Sequence, residues 1–137
     1  MRELNKLNSD LIHLLSSSKP VVVYDFNALD KCAEDLVKAF PLFKHFYAVK
    51  AAPYSFIYSI LLKYGIGLEV ASLGELDNAI NYNLNSNLNN IVYDSPVKSI
   101  HELRKALELG ITINVDNLDE CKRINSLLNN NNYKSII

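Results

Sequence analysis

The 137-residue sequence has no tryptophan, one methionine, two cysteines, and four each of glycine and proline. These scarcities exclude several classes. Cys32 and Cys121 stand far apart without metal-ligand spacing, so neither a disulfide framework nor a paired-cysteine zinc site is expected. Two free thiols in a reducing, cytoplasmic compartment is the expectation instead. His13, His45 and His101 show no metal spacing either, and no Walker loop or nucleophile elbow is present. The net charge of −1 lacks the basic excess needed to track a phosphate backbone, so no nucleic-acid partner is expected. No apolar run approaches the length that spans a bilayer, so no membrane partner is expected. The opening MRELNKLNSD is too polar for a signal peptide.

What is present describes a globular α/β domain. Apolar residues make up 49% of the chain and charged residues 21%, enough for one real core. Asparagine crowds residues 81–90 and 129–132, where its polarity and turn preference suggest loops. Leu4, Leu7, Leu11, Leu14 and Leu15 form one stripe of an amphipathic helix over 3–18, within an N-terminal segment 1–19. Pro20 ends it. Val21–Phe26 is β-branched and aromatic and reads as a strand; Asn27 can cap a helix over 28–39, which Pro41 follows.

A pattern then repeats. Strands are expected at Phe43–Lys50, Gly67–Ala71, Ile91–Tyr93 and Ile111–Val115. Each is followed by a helix: Pro53–Tyr64, Leu73–Tyr82, Ile100–Leu109 and Leu118–Leu128. Residues 135–137 resemble the start of another strand. Ser72–Glu75, Ser99–Glu102 and Asn117–Glu120 have capping-box spacing, which favours a regular βα winding with parallel strands. An open doubly wound sheet and a (β/α)₈ barrel both fit. A full barrel needs about 250 residues, and this chain supplies roughly four units.

Three segments could carry chemistry. In FYAVKAA, alternation puts Phe46, Ala48 and Lys50 on one face, with Lys50 at the strand's carboxyl end, where parallel α/β proteins build their sites. Small Ala48 leaves room for a ring beside the lysine. A partly desolvated lysine there could attack a carbonyl; a strand-end lysine snorkelling to solvent is the alternative. In GIGLEVAS, Gly65 and Gly67 suit a tight turn or a close approach of backbone or ligand. Their position before the strand is wrong for a dinucleotide fingerprint. Glu69 points away from Leu68 and Val70, and either pairs with Lys50 or stands exposed at an edge. In YDSPVKS, Asp94, Ser95 and Lys98 form either a site-lining loop or plain turn chemistry. Thr112, Asn114 and Asp116 share a polar face that suits a barrel lumen or an edge strand.

The run PVVVYD, FYAVKAA, GIGLEVASLGEL, IVYDSPVKS, ITINVDNLDE resembles the fold-type III pyridoxal-phosphate (PLP) decarboxylases. That family includes the diaminopimelate, ornithine and arginine decarboxylases; the diaminopimelate branch is the most similar. Order and spacing agree over residues 20–137. The resemblance implies a partial (β/α)₈ TIM-type barrel of the alanine racemase-like kind over 20–137, packed with a separate β-domain. It implies PLP as cofactor, Lys50 as the residue bound covalently to it, and Glu69 and Ala48 beside it. It also implies an amino-acid substrate, basic or dicarboxylic, and a homodimer in the full-length form. Two departures stand out. Glu69 replaces the Asp of many members, and Ala52 replaces an Asn usual after the Lys-Ala pair. The family's ring-stacking histidine, phosphate loop and acid to the pyridine nitrogen fall beyond residue 137. The chain is therefore expected to be a fragment that does not decarboxylate alone. A related PLP racemase or carrier barrel, or a non-catalytic remnant that binds a full-length homologue, are the alternatives.

Overall fold

A computed structural model describes residues 20–82 and 88–130, together with Ile12 and Ser16. The expected helix over 3–18 and the strand at 135–137 otherwise lie outside the described residues. Ile12 is helical, and its carbonyl accepts from the Ser16 N–H at 3.0 Å. The rest alternates as α1 (Phe26–Ala39), β1 (Phe46–Ala48), α2 (Ser55–Leu62), β2 (Gly67–Val70), α3 (Leu73–Tyr82), β3 (Ile91–Tyr93), α4 (Ile100–Glu108), β4 (Thr112–Ile113) and α5 (Leu118–Asn130). Short 3-10 turns occupy Val49–Ala51 and Leu88–Asn90.

The strands form one parallel sheet in the order β1-β2-β3-β4. This order decides between the two architectures. A doubly wound sheet reverses its strand order at a switch point; a barrel never does. Strictly sequential strands, joined by crossovers of one hand, carry every helix on the same face. The described residues are thus an arc of a β/α barrel.

The helix-covered face holds the most deeply buried strand side chains. Leu68, Val70, Ile91 and Tyr93 are fully buried, and Ile113 nearly so, under the helices. Their partners there are Ile57, Tyr58, Leu61, Leu76, Leu103, Leu107 and Ile124. The opposite face carries Phe46, Ala48, Gly67, Glu69, Val92 and Thr112. Register aligns Ala48, Glu69, Val92 and Thr112 in one row across all four strands.

The two glycines of GIG divide the roles suggested for them. Gly65 has φ +72° and ends α2; its N–H donates to Leu62 O, and that of Ile66 to Leu61 O. Gly67 is the close approach. A Cβ there would lie 2.5 Å from the Asn90 carbonyl oxygen and 2.7 Å from the Phe46 ring.

The caps form with variations. Ser99 and Glu102 make a complete capping box on α4. At Ser72–Glu75 and Asn117–Glu120 the first residue accepts the acid's N–H, but each acid reaches one residue further back, to the N–H of Ala71 and of Asp116. Burial alone would raise the Glu102 carboxyl. The Ser99 backbone N–H, with donors from the Ser99 and Tyr93 hydroxyls and Leu73, outweighs it and holds the group below its ordinary 4.5. Its contribution is therefore present above pH 4.5 and lost as pH falls through the lower folded value. Glu102→Gln is expected to remove that part of the acid-unfolding curve, read by circular dichroism against pH. Ser99→Ala is expected to cost about 1 kcal/mol in urea denaturation.

Three expectations are corrected. Val21–Phe26 is not a strand: residues 20–25 take no part in any strand ladder and are exposed, and Phe26 begins α1. β-propensity needs a neighbouring strand to express it, and none pairs with this segment among the described residues. The Tyr24 ring instead meets those of Tyr54 and Phe56. The cap of α1 is Asp25, which accepts from Ala28 N–H, and not Asn27. The asparagines at 129–130 continue α5 instead of forming a loop.

Candidate cofactor site

The carboxyl ends of the four strands converge on one rim. β1 ends at Ala48, opposite Glu69, and the chain turns at once into the 3-10 turn Val49–Ala51. Val49 is fully buried and anchors that turn. Lys50 follows it, exposed to solvent, so it stands on a turn and not on the strand itself. Tyr47 helps close the turn by donating its hydroxyl to Ala52 O at 3.3 Å. Lys50 is not desolvated by the described residues, and its amine has no hydrogen-bond or ion-pair partner among them.

Glu69 is half-buried on the central strand β2, between Ala48 on one side and Val92 on the other. It is neither paired with Lys50 nor at an edge. It has no hydrogen-bond partner among the described residues. A carboxylate in the middle of a sheet face, flanked by a methyl and an isopropyl group, has given up part of its hydration without compensation. Ala48 is also half-buried and leaves space above the row. The structure thus brings Ala48 and Glu69 side by side, and puts Lys50 just past the end of the neighbouring strand.

The other loops show what sequence reasoning missed. Lys98 is wholly buried and ion-paired with wholly buried Glu120, Nζ to Oε2 3.1 Å. Its ammonium also donates to the carbonyls of Ser95 and Asn114, at 2.8 Å each. Plain turn chemistry does not describe it. Glu120 was legible only as a cap, and the pair spans 22 residues. Beneath it, Tyr93 donates to Glu102 at 2.8 Å; burial first, and then that carboxylate, push the phenol upward. Ser95 is buried, whereas Asn114 and Asp116 are exposed. No cluster of three metal-ligating side chains occurs among the described residues, and no described helix is long and apolar enough to cross a membrane. Cys32 and Cys121 are both free and exposed.

Comparison with known proteins bears on the fold and the family. The chain is 35% identical over 85 residues to ornithine decarboxylase of Schizosaccharomyces pombe, covering 61% of this chain and 19% of that one. It is 34% identical over 101 residues to diaminopimelate decarboxylase of Deinococcus radiodurans, covering 74% and 26%. Among solved structures, diaminopimelate decarboxylase of Helicobacter pylori complexed with L-lysine superposes with a TM-score of 0.70 at 28% identity, over 87% of this chain and 30% of that one. The chain spans between 13% and 29% of the length of the curated relatives it matches. Residues 27–136 match the pyridoxal binding domain of the pyridoxal-dependent decarboxylases, and the chain belongs to that family.

Proposed function

We propose that the whole protein is a PLP-dependent amino-acid carboxy-lyase and that Lys50 is the residue that holds its cofactor covalently. The observation that carries the reading is that Lys50, just past the end of β1, and half-buried Glu69 on β2 stand at the carboxyl end of a barrel arc without hydrogen-bond or ion-pair partners among the described residues. These residues fit the group. A primary amine suits an aldehyde, a small side chain at Ala48 admits a flat ring, and the lone carboxylate suits a cationic neighbour. When bound, PLP supplies the electron sink that allows CO₂ to leave an amino acid's α-carbon. Lys50 anchors the cofactor, Ala48 leaves it room and Glu69 provides a negative charge at its side.

The named relatives act on ornithine and diaminopimelate, and the Helicobacter structure holds L-lysine. The substrate class proposed here is accordingly a basic or dicarboxylic amino acid of the diaminopimelate kind. A cytoplasmic homodimer is the proposed form of the whole protein, and the exposed free thiols suit a reducing compartment. The 137 residues alone are proposed to load the cofactor without turning over substrate.

The test is to add PLP, reduce with borohydride and map the adduct by mass spectrometry. One pyridoxyl group on the peptide containing Lys50 is expected, and none there in Lys50→Ala. Labelling spread evenly over exposed lysines such as Lys31 and Lys63 would sink the assignment.

A further inference from the structure

Two wholly buried, opposite charges sit outside the proposed cofactor contacts, and a buried pair seldom stabilises a fold more than apolar side chains would. Geometry shows what this one secures. The protons of the Lys98 ammonium go to Ser95 O, to Asn114 O and to the Glu120 carboxylate. Glu120 Oε2 also accepts from Asp116 N–H at 2.9 Å. Arg123 Nη1 donates to Lys98 O at 2.7 Å, and the Lys98 ammonium lies 5.9 Å from the centroid of the Tyr93 ring. One cation therefore ties the β3–α4 loop, residues 94–99, to the β4–α5 loop, residues 114–117.

Both loops are on the rim. Ladder bonding continues one residue past each strand, Asp94 N–H to Val70 O and Asn114 N–H to Tyr93 O. Strand alternation then places Asp94 beyond Val92, and Asn114 beyond Thr112, on the face that carries Glu69. The carbonyls gripped by Lys98 belong to Asn114 itself and to the residue after Asp94.

We infer that Lys98 and Glu120 are a positioning pair: a buried ammonium that sets two rim loops so that Asp94 and Asn114 face the occupant of the barrel mouth. The occupant is the cofactor or its amino-acid adduct, and only the binding arm of the test rests on the proposed cofactor site. An apolar pair of similar volume fills the same space but grips neither carbonyl. Packing and positioning can therefore be separated.

The experiment uses the full chain and its double variant Lys98→Met, Glu120→Leu. The expected double variant melts near the parent temperature. Its amides in 94–99 and 114–117 exchange about tenfold faster or more, since they are released to local opening. Its PLP loading at Lys50, followed by absorbance and borohydride trapping, weakens by about tenfold or more, as expected when a site is misplaced. Parent-like exchange in both loops with parent-like loading would reduce the pair to filler and overturn the inference. Should the double variant not fold, exchange in the parent decides. The Asn114 and Asp116 amides are expected to be as slow as that of Leu68; fast local opening there overturns the inference. If the parent fails to load PLP at Lys50, the cofactor assignment falls, while loop exchange still judges the positioning role.

Discussion

Lys98→Met is expected to lower the unfolding free energy by about 3–5 kcal/mol, the cost of removing one partner of a buried ion pair. The loss is large because nothing replaces the cation. Glu120 would keep a buried carboxylate with only the Asp116 N–H to answer it among the described residues. The carbonyls of Ser95 and Asn114 would each lose their 2.8 Å donor. A domain of this kind has about 5–15 kcal/mol in total, so the variant approaches the threshold of folding. The Lys31–Asp35 pair is the control. Its side chains are 73% and 57% exposed, and Lys31→Met is expected to cost at most about 0.5 kcal/mol. Urea denaturation of both variants gives the comparison. Equal, small losses would show that the Lys98 site is far wetter or looser than its geometry.

Gly67→Val is expected to cost about 3 kcal/mol, at the upper end of over-packing penalties. The Phe46 ring could rotate away from the new side chain. The Asn90 carbonyl could not, because it belongs to the backbone of the turn that delivers β3. Relief therefore requires moving one strand against another, which would disturb the row that carries Glu69. Gly74→Ala provides the contrast. It meets nothing within 4 Å in the first turn of α3, and is expected to stabilise by up to about 0.5–1 kcal/mol. Denaturation midpoints of the two variants should move in opposite directions. If Gly67→Val is neutral, the close packing of β1, β2 and the Asn90 turn is wrong.

Much of the site was legible because its signals are local. The capping acids act within a few residues of their partners, so Ser99–Glu102 could be paired on paper before any fold was known. The alternation in GLEV separated Glu69 from Leu68 and Val70, and burial follows it. Lys50 was singled out by its place after a short apolar run, reinforced by a motif. Its surroundings were misjudged: the strand stops at Ala48 and Lys50 is solvated. How far a strand runs depends on its neighbour, and the β1–β2 ladder ends opposite Glu69. Val21–Phe26 failed for the same reason, with propensity present and no partner strand among the described residues.

By itself, the sequence determined the succession of strands and helices from β1 onward, the caps that start α3, α4 and α5, and the motifs that announce the family. Hydrogen bonds and side-chain alternation over a few residues are enough for all of these. Only the tertiary structure decided that the strands lie in sequential order, which makes the sheet a barrel arc, and that Lys98 meets Glu120 across 22 residues. Both depend on how successive crossovers stack, and no local pattern encodes that. The same stacking turned a loop lysine into the buried cation that sets the rim beside Glu69.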